Sequence, residues 1–266
     1  MMDWRKQEHV GLKVEADGHT AVVTLDNPPA HTWTVHSLSA LRDLVGALNA
    51  DTSIYALVIT GGGEKFFSAG ADLKQFASGD KALAREAARR FGEAFEALSG
   101  FRGVSIAAIN GYAMGGGLEC ALACDLRIIE EHAQVALPEA TVGLLPCAGG
   151  TQNLPRLVGE GWAKRMILLG ERIDADTAVR IGLAEEKVGK GESRALAIEW
   201  ANKAGKQSPS SVAACKTLVQ ATRSGISHAS ALVAEREAFV DLFDRADQGE
   251  GVNAFLEKRA PQWKNA

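Results

Sequence analysis

The sequence predicts an α/β fold followed by a helical C-terminal region, on three observations. Continuous apolar runs of strand length, at residues 54–60 and 104–109, alternate with stretches of helical periodicity at 38–48 and 81–98. Two of the runs end alike: Ile59-Thr60-Gly61 and Ile109-Asn110-Gly111 stand fifty residues apart, and each leads through small residues toward a helix, as in a repeated strand–turn–helix unit. After Gly191 the pattern is helical to the end, over about 192–206, 209–223, 228–246 and 251–259.

Length and composition narrow the function classes. At 266 residues the chain can bury a large core in one domain with an appendage. Acids and bases nearly balance, at formal net charge −4, so no nucleic-acid partner is expected. The first ten residues are polar and charged, and no apolar run reaches membrane-spanning length; a soluble cytoplasmic protein with no membrane partner is expected. Cys120 and Cys124 stand one helical turn apart while Cys147 and Cys215 are isolated, which fits free thiols and makes no zinc spacing. No metal is expected.

Residues 11–14 and 20–25 alternate around Asp17-Gly18, a hairpin signal, so the sheet opens antiparallel. Asp26-Asn27-Pro28-Pro29 ends the second strand and forces an extended link through Ala30-His31-Thr32-Trp33 before a helix begins near Val35. His31 and Trp33 could line a pocket or simply pack. Leu38, Leu41, Leu44, Val45 and Leu48 give that helix one face for the sheet. Residues 54–60 are the next buried strand. Residues 66–73 follow as a small-residue loop, either a backbone nest or a plain turn. In the helix at 81–98, Arg85, Arg89 and Arg90 are expected on the wet side.

The central stretch runs from Ser105 to Asp125. Its apolar start suits a strand buried on both faces. Gly115, Gly116 and Gly117 then let the backbone approach a ligand and leave N–H groups unpaired at a helix start, with Glu119 on the first turn. An acid there stabilises a helix by about 0.3–1 kcal/mol, so Glu119 is either a dipole partner or a catalyst. Short strands at 126–129 and 134–136 flank Glu130-Glu131-His132, where solvated charge is expected because consecutive residues do not share a face. Glu139 is the second odd acid, in an apolar segment bounded by Pro138 and Pro146; it is either a surface carboxylate at a helix start or a partner of Glu119. Residues 147–152 open a helix continuing through Leu157, Asp174 caps another reaching Ile181, and 184–188 return as a strand. Leu232, Phe239, Leu242 and Phe243 offer the tail a face for the core or for another subunit.

On Phe67 to Leu73 (FSAGADL), Asn110 to Glu119 (NGYAMGGGLE), Cys124-Asp125, Pro138-Glu139, Gly149 to Gln152 (GGTQ) and Phe255 to Arg259 (FLEKR), the chain resembles the crotonase superfamily, most closely the enoyl-CoA hydratases. The resemblance covers essentially the whole chain. It implies a crotonase-like spiral of strand–strand–helix units over 1–190 and a C-terminal helical trimerisation region over 191–266, giving a homotrimer or homohexamer. It further implies an acyl-CoA substrate and hydration of 2-enoyl-CoA thioesters to 3-hydroxyacyl-CoA, as in β-oxidation, with no cofactor beyond the coenzyme A carried by the substrate. By the family pattern, the backbone N–H groups of Ala69 and Gly116 form an oxyanion hole. The same pattern implies that Ala69, Gly70, Ala71, Asp72, Gly116 and Lys258 contact the substrate and its CoA. In the roles the resemblance implies, Glu119 activates water and Glu139 protonates the α-carbon. Some relatives isomerise 3-enoyl thioesters with an acid matching Glu139 alone or act as other crotonase-type acyl-CoA lyases, and others bind RNA or act as scaffolds; the pair of glutamates favours hydration. The sequence departs from the hydratase pattern at Cys147, usually glycine, at Asn153, often arginine, and at Ala30, often lysine.

Overall fold

Two sheets of unequal strand length organise the chain, which the computed structural model describes over residues 3–265; Met1, Met2 and Ala266, the outermost residues of the two expected regions, lie outside the described residues. Strands β1 (Leu12–Asp17) and β2 (Thr20–Leu25) form the expected hairpin, with Asp17 opposite Thr20. Helix α1 (Val35–Ala50) begins at a reciprocal cap: the Thr34 hydroxyl accepts the Ser37 amide, and the Ser37 hydroxyl accepts the Thr34 amide. Three units of one design follow. The first is β3 (Ala56–Gly61), β4 (Phe66–Ser68) and α2 (Lys81–Ser99); the second is β5 (Val104–Ile109), β6 (Tyr112–Met114) and α3 (Gly116–Ala123). The third is β7 (Leu126–Glu130), β8 (Gln134–Ala136), a 3-10 turn at Glu139–Val142 and α4 (Gly150–Leu168). The chain continues through β9 (Ile173–Asp174), α5 (Ala175–Arg180), β10 (Glu186–Val188) and α6 (Ser193–Ala204) to the tail helices α7 (Pro209–Ala221), α8 (His228–Asp241) and α9 (Ala246–Leu256).

Each unit gives its long strand to one sheet, ordered β1-β2-β3-β5-β7-β10, and its short strand to another, ordered β4-β6-β8-β9. Past the hairpin the long sheet is parallel, and β4, β6 and β8 are parallel too. Parallel strands are buried on both faces, which is why they read as unbroken apolar runs. Alternate residues sort cleanly: Leu57, Ile59, Ala107 and Ile109 join the main core, whereas Val22, Val58, Ile106 and Ile128 pack on the other face with Ala197 and Ala201 of α6. Helix α6 therefore belongs to the packing of the sheet, although it lies beyond residue 190. No helix among the described residues is long and apolar enough to cross a membrane.

Four sequence expectations need correction. Glu130 is buried, not solvated: its carboxylate accepts the Gly191 amide at 2.8 Å and the Ser193 hydroxyl at 2.6 Å, satisfying the start of α6, and only Glu131 and His132 of that trio are exposed. Arg90 is half-buried, because it bridges Glu86 on its own helix and Ser39 on α1. Helix α4 runs past Leu157 to Leu168, with its break deferred to Gly159 at φ 77°. The helix expected over 228–246 stops at Asp241 and turns through a 3-10 segment at Leu242–Asp244, since the buried Asp247 on α9 must meet the Lys264 and Asn265 amides.

Candidate active site

The short sheet places three loops side by side. The loops after β4, β6 and β8 leave the carboxyl ends of parallel strands, the edge where α/β sheets collect ligands. They meet because side chains are absent where they touch. A Cβ on Gly70 would stand 2.6 Å from the Met114 carbonyl oxygen and 3.1 Å from the Gly116 nitrogen, and one on Gly117 would stand 2.2 Å from the Ser68 carbonyl oxygen. Between these loops, α2 and the segment 138–147 lies a cavity of about 680 Å³.

Ala69, Ala71, Asp72, Gly116, Glu119 and Glu139 all reach this cavity from distant parts of the sequence. Gly70 stands at the loop contact just described. Lys258, with φ 55° beyond α9, takes no part in the cavity wall. The Asp72 carboxylate is occupied in capping, accepting the Lys74 amide at 3.1 Å.

The amides of the first loop answer which backbone donors are free. Ala69 donates to the Ala30 carbonyl at 2.9 Å, Gly70 to the Ser68 hydroxyl at 3.2 Å, and Asp72 to the Trp33 carbonyl at 3.4 Å. Ala71, between them, has no acceptor among the described residues, and the same holds for Gly116 at the start of α3. The expected free donor at Ala69 is thus already engaged, because the link 30–33 runs alongside this loop and takes the Ala69 and Asp72 amides, while the Ser68 hydroxyl takes that of Gly70. The free one is two residues further on.

Glu119 is 2% exposed, on a helix whose every residue is buried. Its Oε1 accepts the Ala148 amide at 2.8 Å and the Gly150 amide at 2.9 Å. Burial raises its pKa above the ordinary carboxylate value, and the two amides pull the other way. Gly150 is needed here, since a Cβ there would lie 3.0 Å from Glu119 Oε1. Glu139 has no such support: its Oε2 is buried without a hydrogen-bond partner. Burial and the negative charge of Glu119 push its pKa up to about 7. One cavity thus holds a carboxylate oriented by amides and a second carboxyl that carries a proton near neutrality, an arrangement suited to giving and taking protons on one substrate.

The remaining wall is apolar, with Leu73, Phe76, Ala84, Ala88, Phe91 and Leu144 prominent. Sequence reading missed these residues. The signal was available on α2, where Ala87, Phe91, Ala94, Phe95 and Leu98 form the core face while Ala84 and Ala88 form a second small-residue pair one turn apart. Cys147 borders the cavity and is open to solvent on one side; desolvation on its cavity side and the two glutamates push its thiol up to about 11, so it stays protonated.

Comparisons with known proteins agree with this architecture. Residues 15–266 match the family model described as enoyl-CoA hydratase/isomerase. The short-chain-enoyl-CoA hydratase of Clostridium acetobutylicum is 38% identical over 92% of this chain and 94% of its own. The 2,3-dehydroadipyl-CoA hydratase of Escherichia coli is 38% identical over 95% and 98%. Among solved structures, DspI of Pseudomonas aeruginosa superposes with a TM-score of 0.93 at 65% identity, covering 96% of this chain and 97% of that one.

Proposed function

The chain belongs to the enoyl-CoA hydratase/isomerase family, and we propose that it adds water to 2-enoyl-CoA thioesters bearing uncharged aliphatic acyl chains. The observation that carries this reading is the pair Glu119 and Glu139 in one apolar cavity beside two unpaired backbone amides. In the proposed reaction the Ala71 and Gly116 amides hold the thioester oxygen. Donors of this kind are commonly worth about 3 kcal/mol each where negative charge develops. Glu119 accepts a proton from water as its oxygen bonds to the β-carbon, the double-bond electrons move toward the carbonyl as an enolate, and Glu139 delivers a proton to the α-carbon. One water is added and nothing leaves. Coenzyme A enters as part of the substrate, so no separate cofactor is called for.

The acyl preference follows from the wall. Among the described residues the cavity presents no charged side chain apart from Asp72 and the two glutamates, so a carboxylated acyl chain would find no cation to pair with. Copies of this chain are proposed to assemble through the tail into trimers, with exposed Phe239, Phe243, Phe255 and Leu256 supporting that reading.

The test is a panel of 2-enoyl- and 3-enoyl-CoA esters, followed by loss of the conjugated chromophore and by product mass. Gain of one water on aliphatic 2-enoyl esters is expected, and Glu119→Gln and Glu139→Gln should each lower kcat about 100-fold or more. Conversion of 3-enoyl to 2-enoyl esters without water would make the enzyme an isomerase. Near-normal hydration by both folded variants would end the proposal.

A further inference from the structure

The Ala71 amide is left without an acceptor because its neighbours are taken, and the elements that take them converge on one histidine. His31 is 7% exposed and holds φ 51°, a left-handed conformation uncommon for a residue with a Cβ. Its ring is fastened at both nitrogens. Nδ1 accepts the Asn27 amide at 3.2 Å, and Nε2–H donates to the Gly62 carbonyl at 2.7 Å. Only one neutral tautomer satisfies both contacts, since an amide needs an acceptor and a carbonyl needs a donor.

With the ring so held, the His31 carbonyl meets Ser68. The buried Ser68 hydroxyl donates its single proton to that carbonyl at 2.7 Å, so its oxygen is free to accept the Gly70 amide at 3.2 Å. Gly70 stands at φ 89°, and its own carbonyl accepts the Trp33 amide at 2.8 Å. The flanking amides of Ala69 and Asp72 are consumed by Ala30 and Trp33 of the same link. The amides of Ala69 and Asp72 and the Gly70 carbonyl are therefore fixed by the segment His31 anchors, and the Gly70 amide by the Ser68 hydroxyl that donates to that segment.

We infer that His31 and Ser68 are positioning residues that set the direction of the Ala71 amide for the thioester oxygen, an inference that rests on the oxyanion role proposed above for that amide. Neither side chain borders the cavity; they act through the loop. Removing the Ser68 hydroxyl leaves the His31 carbonyl and the Gly70 amide to find other partners, and the loop turns with them. A donor displaced by about 1 Å costs about 100-fold in rate.

The experiment compares the wild type with Ser68→Ala, His31→Ala and His31→Asn. Binding of a conjugated aromatic enoyl-CoA is followed by the red shift of its absorption, which reads the pull of the amides on the thioester oxygen, alongside kcat and KM for an aliphatic 2-enoyl-CoA and the melting temperature. For Ser68→Ala the expected result is a smaller red shift and a kcat lowered about 10- to 100-fold, with KM changed less than about threefold. His31→Asn should recover part of what His31→Ala loses, since asparagine tolerates left-handed φ and its side-chain oxygen can accept the Asn27 amide. The inference is overturned if Ser68→Ala keeps the wild-type red shift and kcat, or if it loses only melting temperature. A wild type that binds the ester with no red shift overturns the oxyanion reading of Ala71 and this inference with it; a wild-type red shift unchanged in Ser68→Ala overturns this inference alone.

Discussion

At Glu139 the folded chain keeps a proton that water would remove. Its pKa rises from an ordinary 4.5 to about 7, with burial the larger cause and Glu119 the smaller. Between those values the folded state binds more protons than the unfolded one, so the favourable contribution is complete below about pH 4.5 and is lost as pH rises through about 7. Glu139→Gln, which cannot ionise, should therefore gain melting temperature relative to the wild type between pH 5 and pH 8 while losing turnover. Parallel melting curves at both pH values would contradict the burial of that charge. Because the proposed role needs the protonated acid, kcat should also fall as pH is raised past about 7. At this scale the sequence exposed both acids, each as an oddity in an apolar stretch. It did not show which amide of the loop 69–72 is free, because that depends on the residues 30–33 lying alongside.

At the scale of elements, the units are held together by contacts that tolerate no added atom. A Cβ on Gly117 would meet the Ser68 carbonyl carbon at 2.9 Å as well as its oxygen. Gly117→Ala should destabilise the protein by about 1–3 kcal/mol through forced separation of α3 from β4, read as a lowered denaturant midpoint with unchanged slope. On α2, Ala88→Leu adds volume on the cavity side while leaving Phe91 and Phe95 in the core. The expected outcome is a shift in kcat/KM toward short 2-enoyl esters, by about 10-fold or more for long chains; an unchanged chain-length profile would show that the acyl group lies elsewhere. Helical spacing marks α2 as amphipathic, but a second face becomes meaningful only when the loops it confronts are known.

Over the whole molecule, the tail is joined to the spiral by a cation that the sequence does not single out. Lys216 of α7 is 9% exposed in its side chain; Nζ donates to Asp125 Oδ2 at 2.7 Å and to the Gly103 carbonyl at 3.1 Å. Asp125 also accepts the Ser105 amide and hydroxyl, so one carboxylate ties the tail helix to the end of α3 and the start of β5. Lys216→Met keeps the stem and removes the charge, and it should cost about 1–3 kcal/mol, measured by equilibrium unfolding. No loss would show that this ion pair contributes nothing to the docking of the tail.

The units of the fold, and the two acids as oddities within them, are legible in the order of residues alone. Parallel strands buried on both faces must be apolar throughout, helices between them must carry one apolar face, and a carboxyl in an apolar stretch stands out by contrast. What it could not determine is whatever depends on two distant segments meeting. Glu130 became buried because α6, sixty residues on, brings amides that need an acceptor. The Ala69 amide is spent because the link after β2 lies against it, and Ala71 is free for the same reason. Hydrogen bonds are short-ranged and consume their partners, so which donor remains for a ligand is decided only once the chain has folded around it.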